Sequence, residues 1–170
     1  MTSVAGDGRE TQAVSIPSDG VVLRGDLTLP AGARGLVLFA HGSGSSRLSS
    51  RNRMVARSLL DDGLGTLLFD LLTDREEASD ARNRSLRFDI GFLAGRLLGA
   101  TEWIASQPRA RQVRLGYFGA STGAAAALVA AAVRPGLVQA IVSRGGRPDL
   151  AGPYLLEVTA PTLLIVGGGD

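Results

Sequence analysis

With 170 residues the chain has the length of one domain, and 45% hydrophobic against 20% charged residues is a balance that builds a core. The absence of cysteine excludes disulfides, thiolate metal sites, iron–sulfur clusters and a cysteine nucleophile, and a single histidine, His41, excludes any site needing two imidazoles. All 18 basic residues are arginine, which removes a Walker-type phosphate loop and lysine Schiff-base chemistry; against 16 acids they leave a net charge of +2.

The arginines are scattered and lack an aromatic stacking platform, so they predict solvated faces and no nucleic-acid partner. The polar, acidic opening MTSVAGDGRE has no signal-peptide pattern. The longest uncharged run of small apolar residues, Gly123 to Val133, falls well short of the ~20 residues that span a bilayer. A soluble cytoplasmic protein without a membrane partner is expected.

In chain order, Ala13 to Ile16 can begin an edge strand, and Val21 to Leu29 alternates as a half-buried antiparallel strand does. Asp19-Gly20 between them is a hairpin signal. The pattern then changes to continuous apolar runs: Gly35–Ala40, Gly65–Phe69, Val113–Phe118, the shorter Val138–Val142, and Pro161–Val166. Such runs are what strands of a parallel sheet require when both faces are covered. Helical spacing fills the gaps, over Ser49 to Asp62 (Met54, Val55, Leu59 and Leu60 inward), Arg87 to Ser106, and Ser121 to Val133. The charged stretch Leu71 to Leu86 predicts a mobile loop, whose Arg75, Arg82 or Arg84 could touch an anionic substrate, although a solvated loop is the simpler reading. Alternating strands and helices imply an α/β fold: one mostly parallel sheet with helices on both faces, spanning 1–170 as a single domain. The final apolar strand has no closing helix after it, which predicts an incomplete C-terminus, a bare edge and the prospect of a homodimer through it.

Three segments carry chemistry. Gly119-Ala120-Ser121-Thr122-Gly123 fits G-x-S-x-G, preceded by an apolar strand and followed by a small-residue helix. A serine on so sharp a bend needs small neighbours, hence Gly119 and Gly123, and the helix start directs free N–H groups toward Ser121. The competing reading makes Ser121 a helix N-cap. His41-Gly42-Ser43-Gly44 follows the GLVLFA strand and suits an oxyanion loop. A dinucleotide fingerprint would need glycine where Arg47 stands, so no nucleotide cofactor is expected. His41 sits inside that loop and is expected to orient it, together with Gly42. Gly167-Gly168-Gly169-Asp170 places an acid at a strand's carboxyl end, where α/β sheets bind ligands.

These segments resemble the α/β-hydrolase superfamily, and within it the compact dienelactone-hydrolase-like serine hydrolases. The resemblance runs through LVLFAHGSGSS, GTLLFDLLT, VRLGYFGASTGAAAALVAAA, QAIVSRGGRPDLAG and APTLLIVGGGD. It implies Ser121 as nucleophile, the N–H groups of Thr122 and Ser43 as oxyanion donors, and Asp170 as triad acid, with Asp149 as the alternative. No cofactor and no metal are implied; the partner is a small ester, lactone or thioester. Dienelactone hydrolases proper use a cysteine nucleophile, which this chain lacks. The triad histidine normally follows the acid, so these 170 residues are expected to lack their general base and to be nearly inactive. A non-catalytic binding module and an acyltransferase are the alternatives.

Overall fold

The computed structural model describes residues 9–168. Seven strands form one sheet: β1 (Gln12–Ser18), β2 (Val21–Thr28), β3 (Gly35–Ala40), β4 (Gly65–Phe69), β5 (Arg114–Ala120), β6 (Ala140–Arg144) and β7 (Thr162–Ile165), in the order β1-β2-β4-β3-β5-β6-β7. β1 and β2 enter antiparallel and the remaining pairings are parallel. The hairpin between β1 and β2 turns through left-handed backbone at Asp19 (φ 45°) and Gly20 (φ 77°), the combination that suits the twist of paired strands.

Side-chain alternation on the parallel strands explains the layers. Leu36, Leu38 and Ala40 of β3, Leu67 and Phe69 of β4, and Leu115 and Tyr117 of β5 face one core. Phe39, Leu68 and Phe118 face the other. The larger core is covered by α3 (Ile90–Ser106) and α4 (Thr122–Val133). α3 supplies Leu93, Ala94, Leu97, Ala100 and Ile104, and the alanines of α4 are buried all round because α4 lies between α3 and a run of 3-10 turns at Pro148–Glu157. The smaller core lies under α1 (Ser50–Asp61), whose inward positions are Asn52, Val55, Ala56 and Leu59. Met54, expected inward, is 64% exposed, because the helix turns the side of Asn52 and Ala56 to the sheet.

Two expectations need correction. The stretch 71–86 is no loop: α2 spans Asp74–Asn83, opened by a capping box in which Thr73 and Glu76 satisfy each other's backbone N–H groups. The helix expected from Arg87 begins at Ile90, where Asp89 accepts from the Phe92 N–H, and Phe88 is left 54% exposed. Pro148–Glu157 forms 3-10 turns broken at Gly152 (φ 53°) before Pro153, an element without a periodic apolar pattern. β7 is exposed along its length, with Leu163, Leu164 and Ile165 uncovered. Among the described residues no helix is long and apolar enough to cross a membrane.

Candidate functional site

All five parallel strands end at the same edge of the sheet, and the chain runs from β3 to β4 on one side and from β5 to β6 on the other, so its direction reverses between β3 and β5. Ligands of open α/β sheets bind at such an edge and such a switch point.

Ser121 stands there at the exit of β5. Its backbone has φ 51° and ψ −124°, a left-handed conformation that a side-chain-bearing residue adopts at a cost of about 1–3 kcal/mol. It occupies the N-cap position of α4, yet its hydroxyl makes no capping hydrogen bond, so the capping explanation for this serine fails. Close backbone approach holds the bend. A methyl group on Gly123 would stand 2.1 Å from the Ala40 carbonyl oxygen, and one on Gly119 would stand 2.4 Å from Ala124 Cα. The Ser121 carbonyl accepts the N–H groups of Ala124 at 3.1 Å and Arg147 at 3.2 Å, which ties the bend to the loop leaving β6. Thr122 is buried, its hydroxyl has no partner, and its N–H is the first of the helix amides that α4 cannot bond internally.

The loop after β3 meets this bend. A Cβ on Gly42 would lie 3.0 Å from Ser121 Cβ and 3.2 Å from the Ala120 carbonyl oxygen, tighter than ordinary contact, so glycine eases that approach. Gly44 (φ 70°) turns the chain, and the Ser45 N–H donates to the Gly42 carbonyl at 3.2 Å. Ser43 and Thr122 line a common small cavity. His41 is buried, and both its ring nitrogens are occupied: Nε2 accepts the Leu71 N–H at 3.0 Å, and Nδ1 lies 2.9 Å from the Gly42 carbonyl. A backbone N–H can only donate, so Nε2 is unprotonated and Nδ1–H donates. Burial holds this imidazole's pKa below its ordinary value, outweighing the Gly42 hydrogen bond and the field of Asp70. The imidazole therefore clamps its loop to the residue after Asp70 and has no nitrogen free to take a proton from Ser121.

A second clamp joins residues that no sequence motif links. Arg47, the residue that breaks the dinucleotide fingerprint, donates from its backbone to Asp70 Oδ1 at 2.7 Å and from Nη1 to Oδ2 at 2.6 Å. Asp26 extends this cluster to Arg53 at 3.2 Å. The glycine loop is thus pinned at both ends to the exit of β4.

Of the arginines considered for substrate contact, Arg75, Arg82 and Arg84 are exposed, and none borders the cavity at Ser43. Arg87 does border it, beside Gly44, and is fastened to the buried Asp80 of α2. Asp149 is an exposed residue of the 3-10 segment, held by Arg147 at 2.7 Å, and that hydrogen bond keeps its carboxyl below the usual range. Asp170 lies outside the described residues. Beyond Ser121 an open cavity of about 630 Å³ extends across β6 and β7, bordered by Arg144, Arg51, Met54 and Val166. Among the described residues no cluster of His, Asp and Glu could hold a metal ion. The arrangement offers a hydroxyl that caps nothing on a strained bend and an open space in front of it.

No family model matches the chain. A dienelactone hydrolase from Anabaena variabilis superposes with a TM-score of 0.93 at 61% identity, over 96% of this chain and 76% of that one. A lidless α/β serine hydrolase from Xanthomonas campestris superposes with a TM-score of 0.71 at 22% identity, over 95% of this chain and 72% of that one, and so speaks for the fold alone. In sequence, a Mycobacterium tuberculosis protein of strain H37Rv named "Putative phosphoribosyl transferase" is 59% identical over 161 residues. Those residues are 95% of this chain, and the chain spans only 35% of that relative's length.

Proposed function

Because the chain belongs to the dienelactone-hydrolase-like α/β hydrolases, whose scaffold is that of a hydrolase-type enzyme, we propose that it is the nucleophile-bearing part of a serine hydrolase. Its reaction is cleavage of an ester, lactone or thioester through an acyl-enzyme. The observation that carries this reading is Ser121: strain is retained at a residue whose hydroxyl caps nothing and borders an open cavity. Ser121 Oγ attacks the carbonyl carbon, and the developing oxyanion is received by the N–H groups of Thr122 and Ser43, each worth about 3 kcal/mol in the transition state. Gly42, Gly119 and Gly123 allow the two loops to meet at that distance, and His41 fixes the first of them.

The general base is assigned to a histidine outside these 170 residues, oriented by Asp170, since the imidazole within them is already bonded on both sides. Asp149 is the weaker choice of acid because Arg147 occupies its carboxylate.

A fluorophosphonate probe tests the proposal on the 170-residue chain and on the complete protein that contains it. Labelling of the complete protein should map to Ser121 and vanish in Ser121→Ala. The 170-residue chain should label slower by about 10³-fold or more, as expected of a triad without its base. A complete, folded protein that takes no label at Ser121 overturns the reading.

A further inference from the structure

Another open cavity, of about 200 Å³, lies on the α1 side of the sheet, between α1 and β2, and shares no residue with the cavities at Ser43 and Ser121. Strand register explains its lining. Leu68 of β4 belongs to the core under α1, so Thr66, two residues earlier, faces the same way. Thr28 of β2 pairs with Thr66, and Asp26 pairs with Leu68, which continues that face outward as a hydroxyl and a carboxylate. The Thr28 hydroxyl lies 2.8 Å from that of Thr11, just before β1. From the other side α1 presents Arg53, Ala56, Arg57 and Leu60, the i, i+3, i+4, i+7 spacing of one helix face.

Ordinary packing of a helix on a sheet leaves two features of this cavity without a purpose. Thr66 is fully buried, yet its hydroxyl has no hydrogen-bond partner. A buried hydroxyl left in that state costs stability, and valine would suit the strand without the cost. The second feature is charge. Asp26 Oδ2 is shared between Arg47 at 3.6 Å and Arg53 at 3.2 Å. Arg57, one turn further along α1, has no carboxylate within ion-pair distance among the described residues. Like charges four residues apart on a helix repel, so an anion between Arg53 and Arg57 is favoured. The single hydrogen bond between Thr11 and Thr28 also leaves a donor and lone pairs over for a ligand. The volume is below the about 300–1,000 Å³ of pockets for drug-sized molecules, so the occupant is small.

We infer that this cavity is a binding site for a small hydroxycarboxylate, with the carboxylate on Arg57 and Arg53 and the hydroxyl groups on Thr66 and the Thr11–Thr28 pair. The site goes beyond the serine-hydrolase reading and does not depend on it, because none of its residues takes part in the reaction assigned to Ser121.

Calorimetry with glycerate, propionate and glycerol as probes tests the site. Glycerate should bind, propionate about tenfold more weakly for want of hydroxyls, and glycerol not at all for want of charge. Arg57→Gln, a change at an exposed residue, should weaken glycerate about tenfold. Thr66→Val should weaken glycerate several-fold and leave propionate unchanged. Its urea midpoint should equal or exceed that of the wild type, because the hydroxyl makes no bond within the fold. Ser121→Ala should bind glycerate as the wild type does, whether or not Ser121 ever takes a fluorophosphonate label. The inference is overturned by the absence of glycerate binding, by equal affinity for glycerate and propionate, or by unchanged glycerate binding in both Arg57→Gln and Thr66→Val. Inorganic phosphate that binds as tightly as glycerate and is indifferent to Thr66→Val overturns it too, since that is a site for any anion. A lower urea midpoint in Thr66→Val assigns the hydroxyl to the fold and has the same consequence.

Discussion

Gly123→Ala is the sharpest probe of how the bend at Ser121 is held. The added methyl would lie 2.1 Å from the Ala40 carbonyl oxygen and 2.5 Å from that of His41. Both are main-chain atoms, so no side chain can swing aside. Restoring ordinary contact needs a shift of about 1 Å between the start of α4 and the end of β3. α4 is packed on all sides over Thr122–Ala132, and Ala40 is paired with Gly119 in the ladder, so neither moves without loss elsewhere. Overpacking costs about 1–3 kcal/mol, and a distorted ladder hydrogen bond adds about 1 kcal/mol, giving about 2–4 kcal/mol. Gly63→Ala is the matched control: its φ is 79° and no atom lies within 4 Å, so only left-handed strain of about 1–2 kcal/mol applies. Urea unfolding followed by far-UV circular dichroism reads both variants. With a slope of about 1–3 kcal/mol per molar urea, the midpoint of Gly123→Ala should fall by about twice the shift of Gly63→Ala. If Gly123→Ala costs no more than Gly63→Ala, the close contact between the two loops is refuted.

Two further outcomes follow from buried partners. His41→Phe strands the Leu71 N–H and the Gly42 carbonyl and should cost about 2–4 kcal/mol at pH 7.5. Because the folded pKa of His41 lies below its unfolded value near 6.5, the unfolded chain binds the extra proton; wild-type stability is complete above that value and declines as pH falls through it, a slope that urea unfolding at stepped pH should find missing in His41→Phe. Thr73→Ala removes half of the capping box and should cost about 1 kcal/mol, seen as faster amide hydrogen exchange in the first turn of α2 while α3 is unaffected.

The legible part of the fold was the part whose chemistry is one-dimensional. β3 and β4 occur at the predicted residues because a strand covered on both faces must be apolar throughout. β5 runs on to Ala120 and β6 to Arg144, past their predicted ends, because small or charged residues at a strand's exit carry no strand signal. The charge of α2 suits a loop as well as a solvated helix, and only the capping-box spacing of Thr73 and Glu76 distinguishes the two. At the site, the meeting of Ser121 with Gly42 was readable from the glycines. The Arg47–Asp70 clamp and the hydrogen bond from Arg144 to Asn52 were not, since each joins segments that come together only through sheet order.

The scarcity of imidazole has a practical side. A chain with one histidine gives one pair of ring-proton signals in a magnetic-resonance spectrum, and here that ring bridges the glycine loop and the exit of β4. Without isotopic labels, those two lines would report whether any ligand entering the neighbouring cavity disturbs the loop, in a probe the molecule already carries.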